Sequence, residues 1–389
     1  MTPAIVVAAH RRPEALARLL ASLGRASYPG DGSIPLVVSI DPAPDPAVRA
    51  AVQAVGEGFD WRHGPIEVLS HPRQIGLTGN LLACGDLAAR FGSIVFLEDD
   101  LVVSPAFYAS TANLLAAYGA DERVALGCLY GLWFNGYTGD PFEPLDDGSD
   151  GFFLGVPYTQ GLAFSDAQWA RLRPAVADRR PLEPHRRLHP AFLTLGDDEW
   201  FPRLANAIVA TGRHVAFPRR SLVSGWGDAG THFAAPTNRF QVAIRRSGIA
   251  DRWASPDVAE AVYDPFFELE PAVLRRLAPD LPEVDLELDL TATKPRAAVT
   301  QPFVLTTRAC RRSIQRFGLE ARPIEANVID RVEGDAIHLA DVEDVDWGEA
   351  AAQAARRRVE AYVARDRRPS IRRALRAGIA AFAGRGRRP

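Results

Sequence analysis

Three adjacent carboxylates follow a strongly apolar segment of the chain. Glu98-Asp99-Asp100 comes directly after residues 94–97, whose composition predicts a strand buried on both faces. Carboxylates in that position repel one another and lose hydration, so a divalent cation would stabilise them. Mg²⁺ and Mn²⁺ prefer oxygen ligands, and a Mg²⁺ site typically combines one or two carboxylates with substrate phosphates. The sequence therefore predicts a metal site at Asp100 with Asp99 or Glu98. The alternative is a solvated acidic turn.

A second acidic cluster, Asp197-Asp198-Glu199, occurs much further along the chain after Gly196. A positioned carboxylate can take the proton of a hydroxyl group and so make that group nucleophilic. The alternative interpretation of this cluster is an acidic helix N-terminus, which the helix macrodipole favours. A Gly-rich segment at residues 225–232 follows a short predicted strand, and its composition suits a loop that closes over phosphate groups.

Short β-rich segments alternate with helical patterns through the first half of the chain. Strands are predicted at residues 5–8, 36–40, 66–69, 94–97 and 124–129, with helices between them. This alternation predicts an α/β fold with a mostly parallel sheet flanked by helices. Ligands of such sheets bind at the carboxyl ends of the strands, and the first acidic cluster follows the fourth of these strands.

The remaining sequence has a different organisation. Residues 133–190 predict long loops around one short strand at 161–164, and residues 251–280 predict helical packing elements. Residues 283–347 are β-rich and interrupted by Pro. We therefore predict three parts: an α/β domain at residues 1–255, a helical and then β-rich accessory region at 256–350, and a basic, amphipathic helical tail at 351–389.

The acidic motifs and their flanks carry a family resemblance. Residues 95–107 resemble the D-x-D region of glycosyltransferases of the GT-A fold, and are similar to the E-D-D-L-x-V-x-P-x-F run of the N-acetylglucosaminyltransferase I type. Residues 9–14, Ala-His-Arg-Arg-Pro-Glu, are similar to the A-x-[NH]-R-P-E segment of family 2 glycosyltransferases. The resemblance covers residues 3–233 and implies a Rossmann-like GT-A fold for the α/β domain.

The resemblance also implies a donor site. Asp41 would contact the nucleotide base, although it is equally suited to a turn, and Arg73 would pair with the diphosphate. Asn80 would line the same site, with a helix cap as its alternative. The implied donor-binding residues are Ala8, Ala9, His10, Arg11, Asp41, Arg73, Gly76, Asn80, Glu98 and Asp99.

The second acidic cluster resembles the G-E-D-x-x-[LF]-x-x-R pattern of family 2 enzymes, in which the Asp is the general base. That pattern implies Asp198 as the base here. Because Asp197 stands where the family has Glu, the choice between the two stays open. The family's late third metal ligand would be His232, with Asp228 as the second candidate and a purely structural His as the alternative.

Three residues are implied on the acceptor side: Tyr158, Gly161 and Trp226. Trp226 would stack on a sugar ring or fill space, and Trp169 is a platform or a core residue. The implied activity is a metal-dependent, inverting transfer from a nucleotide sugar, by default a UDP-sugar with Mn²⁺ or Mg²⁺. The acceptor would be a saccharide or lipid-linked hydroxyl, as in surface polysaccharide or glycolipid synthesis.

Composition indicates which kinds of binding partner and which cellular location suit the protein. The formal net charge is −3 with 47% hydrophobic residues, and the three cysteines are widely spaced, which predicts a reducing, cytoplasmic setting. From Arg356 onward there are twelve arginines but only two acidic residues. An apolar stripe within this tail predicts either an interfacial helix on the inner face of an anionic cytoplasmic membrane or a solvated tail. No nucleic-acid-binding module accompanies it, and residues 283–347 would support a homo-oligomer or the acceptor site.

Two other functions fit parts of the sequence. A sugar nucleotidyltransferase shares an α/β nucleotide-binding core, but it would need a Gly-rich loop after the first strand, where residues 8–12 contain no Gly. A non-catalytic sugar- or nucleotide-binding scaffold would keep the fold without its chemistry. The presence of both acidic clusters favours the enzyme over the scaffold.

Overall fold

A computed structural model describes residues 2–30, 33–196, 199–230, 235–247 and 251–364. The described chain divides into two compact units. The first comprises Met1–Trp133 with Phe142–Pro279, and the second comprises Phe134–Pro141 with the chain from Asp280 onward. The boundary predicted at residue 255 lies inside the first unit. Asp197, Asp198, His232 and the tail beyond residue 364 lie outside the described residues.

The first unit is built on a large sheet with a short two-stranded ribbon beside it. Its strands are β1 (Ala4–Ala9), β2 (Leu36–Ile40), β3 (Ile66–Ser70), β4 (Ser93–Glu98), β5 (Leu101–Val103), β6 (Val124–Cys128), β7 (Gly151–Leu154), β8 (Leu162–Ser165), β9 (His214–Pro218), β10 (Val223–Gly225) and β11 (Val262–Tyr263). The sheet order is β11-β7-β9-β6-β8-β4-β1-β2-β3, and β10 pairs with β5. Five of the eight neighbouring pairs in this nine-stranded sheet are parallel, which confirms the predicted fold class.

The helices of this unit fall largely where the apolar periodicity predicts them. They are α1 (Pro13–Gly24), α2 (Pro46–Glu57), α3 (Gly76–Asp86), α4 (Ala88–Phe91), α5 (Phe107–Tyr118), α6 (Asp166–Ala177), α7 (Trp200–Thr211) and α8 (Pro271–Leu277). Local signals fix several ends: Asp45 caps α2 by accepting the Ala47 N–H at 2.8 Å, and Ser165 with Gln168 forms a capping box on α6. Gly212, in the left-handed conformation, ends α7.

Two regional predictions are wrong in part. Residues 133–190, predicted as long loops, contain the strand β7 and the helix α6 in addition to the predicted strand at 161–164, and residues 251–280 contain the short strand β11 and only one helix, α8. Both missed strands are four residues or shorter and pair with partners distant in sequence. A strand of that length is too short to show a periodic apolar pattern. Its conformation depends on the neighbouring strands that bury it.

The second unit contains the predicted β-rich region. Its elements are β12 (Leu286–Asp289), β13 (Phe303–Thr306), β14 (Gln315–Phe317), α9 (Ala326–Ile329), β15 (Ile337–Asp341) and α10 (Glu349–Val363). The strands form a sheet in the order β12-β13-β15-β14. Two ion pairs are fully buried in it: Lys294 Nζ lies 2.7 Å from Glu287 Oε1, and Arg308 Nε lies 2.6 Å from Asp289 Oδ2. Within the described residues, no helix is long and apolar enough to cross a membrane.

The Trp169 ring belongs to the core of the first unit. It is 4% exposed and stacks on Phe164 with ring centroids 5.1 Å apart, while its Nε1 donates to Asp86 at 2.8 Å. The ring also lies directly against Gly85 near the end of α3. This packing decides between the two roles predicted for Trp169: the ring fills the core and is not an acceptor platform.

Replacing Gly85 with Ala should destabilise the protein, because the added Cβ would collide with the Trp169 ring. Overpacking of this kind costs about 1–3 kcal/mol. Gly56→Ala is a matched control, since Gly56 is also a buried helical glycine but its Cβ would meet Val68 and Val38 at an ordinary 3.5–3.7 Å. Urea unfolding should show a lower free energy of unfolding for Gly85→Ala and an unchanged or higher one for Gly56→Ala. Equal effects would contradict this packing.

Candidate active site

The parallel pairing of β1 with β4 brings the N-terminal motif to the first acidic cluster. In this register Ala8 lies opposite Glu98, so the chain leaving β1 runs beside the chain leaving β4. Ala8 and Ala9 thus end a strand in the middle of the sheet. Small side chains there leave space above the sheet edge. The sequence predicts this juxtaposition, because carboxyl ends of adjacent parallel strands meet at one edge.

Arg12 joins the two carboxylates that the sequence proposes as metal ligands. Its Nη1 donates to Asp100 Oδ2 at 3.0 Å, and its Nη2 donates to Asp99 Oδ1. The backbone N–H of His10 also donates to Asp99. The Asp99 side chain is 4% exposed, whereas that of Asp100 is 33% exposed. Both carboxylates therefore face one cationic centre, and Asp100 keeps access to solvent.

One guanidinium does not neutralise this cluster fully. Loss of solvation, together with the charges of Asp100 and Asp99, raises the pKa of Glu98 to about 8, and Arg12 only partly opposes the rise. The charge of Glu199 adds to it, so the end of the second acidic cluster acts electrostatically on the first. Burial raises the pKa of Asp99 to about 6 in spite of its contact with Arg12. Further positive charge beside these carboxylates would therefore stabilise their ionised forms.

The donor chemistry of the cluster fits a hard divalent cation. All of its ligating atoms are carboxylate oxygens, and two of the carboxylates already converge on one cation. Among the described residues, no group of three or more His, Cys, Asp and Glu side chains is arranged to hold a metal ion. Two carboxylates are sufficient for a Mg²⁺ or Mn²⁺ ion that takes its other ligands from water and phosphate.

The Gly-rich segment lies beside the same carboxylates. The antiparallel pairing of β10 with β5 sets Gly225 opposite Leu101, and the Trp226 N–H then donates to the Asp100 carbonyl at 2.9 Å. The Trp226 ring is 49% exposed, and the Arg18 guanidinium lies 4.6 Å from its centroid. Arg18 also forms an ion pair with Asp228. Asp228, the second candidate for a metal ligand, is therefore engaged with Arg18 in this structure.

Asp41 anchors the loop that enters α3. Its two carboxylate oxygens accept the N–H groups of Ile75 at 2.7 Å and Gly76 at 3.0 Å, and the side chain is almost fully buried. His10 Nδ1 lies 2.7 Å from the Asp41 carbonyl oxygen. The residues predicted to line the nucleotide pocket thus meet at one edge of the sheet. Asp41 carries a loop-anchoring role that the sequence motif alone does not reveal.

Asn80 is a buried residue at the same edge of the sheet, and it is not a helix cap. It lies within α3, and its Oδ1 accepts the Ser39 hydroxyl at 2.6 Å. Ser39 Oγ is also 3.1 Å from His71 Nε2. Arg73 is exposed on the loop between β3 and α3, and Arg11 is exposed after β1. Hydrogen bonds therefore fix Asn80, while these two arginines extend into solvent.

The implied acceptor residues lie on the strands and loops of the middle region. Tyr158 stacks on Tyr130 with centroids 6.3 Å apart, and burial raises the pKa of its hydroxyl. Gly161 is buried with a φ of +78°, and a Cβ there would lie 3.2 Å from the Leu129 side chain. Gly161 is thus required by backbone conformation as well as by space.

Sequence reasoning missed two arginines of this site, Arg12 and Arg18. Their acidic partners are between 87 and 210 positions away along the chain. A signal was present for Arg12, because it immediately precedes Pro13 and so is held at the start of α1, next to the end of β1. No local pattern indicates the partner of Arg18.

Comparison with known proteins gives a partial likeness in fold. No family model matches the sequence, and no curated protein matches it significantly. Among solved structures, residues 1–349 of TarS from S. aureus share 12% identity at a TM-score of 0.36, covering 59% of this chain and 61% of that chain. The mannosyltransferase PcManGT from Pyrobaculum calidifontis, in complex with GDP-Man and Mn²⁺, shares 14% identity at a TM-score of 0.35, with coverages of 56% and 55%.

GalNAc-T7 with UDP, GalNAc and Mn²⁺ shares 13% identity at a TM-score of 0.40, covering 57% of this chain and 43% of that chain. The chain thus spans about half of the length of the structures that it resembles. Likeness at this level assigns neither a family nor an activity to the chain. The functional argument therefore depends on the residues of the site.

Asp41→Asn should loosen the loop at residues 75–76. An amide keeps one acceptor oxygen but presents a donor to the second N–H, so one buried backbone group loses its partner. We expect a loss of about 1–3 kcal/mol in the free energy of unfolding. Hydrogen exchange should also be faster at the amides of Ile75 and Gly76 than in the unchanged protein. Unaltered protection at both amides would contradict the anchoring role.

Proposed function

We propose that this protein is a metal-dependent glycosyltransferase of the GT-A type that uses a nucleotide-sugar donor. The observation that carries the proposal is the convergence of Asp99 and Asp100 on one cationic centre at the carboxyl end of β4. The raised pKa values of Glu98 and Asp99 show that further positive charge would stabilise their ionised forms, which supports it. So does the meeting of the residues after β1, β2 and β3 at the same sheet edge, where α/β proteins bind nucleotides.

The donor half of the reaction would use the residues at this edge. Asp100 and Asp99 would hold a Mn²⁺ or Mg²⁺ ion, which would supply positive charge beside the diphosphate leaving group. Asp41 and the loop it anchors position the base, by default uracil. Arg73 and Arg11, both exposed beside this edge, are available for charge-assisted contacts with phosphate oxygens.

The acceptor half would use the second acidic cluster. Asp198, or Asp197 in its place, takes the proton from the acceptor hydroxyl oxygen as it attacks the anomeric carbon. Attack from the face opposite the leaving group inverts the configuration there. Trp226, with its half-exposed ring beside Asp100, is the residue we assign to stacking on a sugar, and Tyr158 and Gly161 border the acceptor.

The proposed acceptor is a saccharide or a lipid-linked saccharide of a surface polysaccharide or glycolipid. In that setting the protein would work in the cytoplasm and associate with the anionic inner face of the cytoplasmic membrane through its basic tail. The exposed aromatic surface of Trp226 suits a carbohydrate acceptor, because sugar rings present apolar C–H faces that pack on aromatic rings.

Thermal unfolding with nucleotides should reveal the donor site. A ligand that binds only the folded state stabilises it, by about 2.7 kcal/mol at a hundred times its Kd. We expect one nucleoside diphosphate to raise the Tm in Mn²⁺ or Mg²⁺ but not in chelator. Asp100→Ala should abolish that metal-dependent shift, whereas Asp60→Ala, which removes an exposed carboxylate paired with Arg62, should retain it. No shift with any nucleotide at millimolar concentration, with metal present, would disprove the donor site.

The anomeric configuration of the product tests the role of the second acidic cluster. An NMR time course should show inversion relative to the donor, and Asp198→Asn should reduce turnover by a factor of about 10²–10⁴ while leaving donor binding intact. A retained configuration would remove the general-base role of Asp198. Donor binding without turnover for any acceptor would favour a sugar- or nucleotide-binding scaffold.

A further inference from the structure

The guanidinium of Arg12 lies where the proposed metal ion would need to bind. It contacts one oxygen of Asp99 and one oxygen of Asp100, so a single side chain spans both carboxylates. A metal ion held by the same two residues would sit within about 2.0–2.1 Å of their oxygens. Two cations on the same pair of carboxylates repel each other, so binding of one weakens binding of the other.

We propose that Arg12 is an internal counter-cation that competes with the divalent metal for Asp99 and Asp100. Metal binding displaces its guanidinium, which then becomes available to the phosphates of the donor. The competition itself concerns only this chain and a metal ion. The second step, the transfer of Arg12 to a diphosphate, rests on the proposed function.

The surroundings of Arg12 permit the displacement. Its backbone is fixed at the start of α1, where its carbonyl accepts the Leu16 N–H at 3.0 Å, so the side chain can move while the backbone stays in place. The side chain is 27% exposed and therefore has a path to solvent. Gly230 also lies close to the guanidinium, since a Cβ there would come within 3.2 Å of Arg12 Nη1. The absence of a side chain at Gly230 therefore leaves space next to this nitrogen.

The negative charge of the cluster favours replacement of the Arg12 guanidinium by a divalent metal ion. With Arg12 in place, the Asp99 and Asp100 carboxylates share one positive charge. A divalent ion brings two, and the released guanidinium remains tethered a few ångströms away, at the start of α1. Metal binding thus exchanges one positive charge for two at the carboxylates and supplies a third for an incoming anion. Metal and diphosphate should consequently bind with positive cooperativity that depends on Arg12.

The first test measures Mn²⁺ affinity directly, by the electron paramagnetic resonance signal of free Mn²⁺ without nucleotide. Arg12→Ala, and Arg12→Gln as a neutral variant that keeps part of the stem, should bind Mn²⁺ about tenfold more tightly than the unchanged protein. Arg25→Ala removes an equal charge from an exposed position just after α1 and should leave the affinity unchanged. Thermal unfolding of each variant checks that it is folded. Equal or weaker Mn²⁺ binding by both folded Arg12 variants, or no binding by any protein, would overturn the proposal.

The second test measures binding of a nucleoside diphosphate by calorimetry with and without Mn²⁺. In the unchanged protein Mn²⁺ should strengthen this binding, and in Arg12→Gln the strengthening should fall about tenfold. Together the two measurements distinguish failure of the metal competition from failure of the donor site. Tighter Mn²⁺ binding by the Arg12 variants without nucleotide binding by any protein would retain the competition and reject the donor site. Nucleotide binding with unchanged Mn²⁺ affinity would retain the donor site and reject the competition.

Discussion

The first unit depends on how the charge at the end of β4 is neutralised. The strand itself is buried, and it must emerge from the sheet into three consecutive carboxylates, which lose hydration and repel one another. The parallel partner β1 solves part of this problem, because its register carries Arg12 to the same edge. The strand order, the position of α1 and the chemistry of the site are thus linked by one electrostatic requirement.

Much of the fold could be predicted from the sequence. The strands β1 to β4 and the helices between them have apolar patterns long enough to identify, and the rule that ligands bind at the carboxyl ends of strands indicates where the candidate site lies. The short strands β7 and β11 could not be found, since two to four residues carry no period and their partners are far away in sequence. The packing of Trp169 likewise depends on Gly85, a contact between two helices that no local pattern encodes.

The acidic residues of the candidate site could be predicted from the sequence, but the arginines that pair with them could not. A run such as Glu98-Asp99-Asp100 is visible because its members are adjacent, and burial makes their proximity costly wherever they lie. Arg12 is one of many arginines, and only the fold selects it as the partner. Asp41 illustrates the same limit: the sequence places it directly after β2, but its two backbone partners lie more than thirty residues away.

The ion pairs of the structure differ in how far they are buried. The pairs Glu287–Lys294 and Asp289–Arg308 have side chains exposed by 3% or less, so removing one partner would leave a buried charge at high cost. By contrast, the Arg12 and Arg18 side chains are 27% and 24% exposed, and those of Asp100 and Asp228 are 33% and 32% exposed, so water reaches these pairs. The Asp99 side chain is 4% exposed, so its charge needs another cation if Arg12 leaves. The exchange that we propose at Arg12 therefore requires that a metal ion replace the guanidinium, because water alone would leave the buried Asp99 carboxylate without a compensating charge.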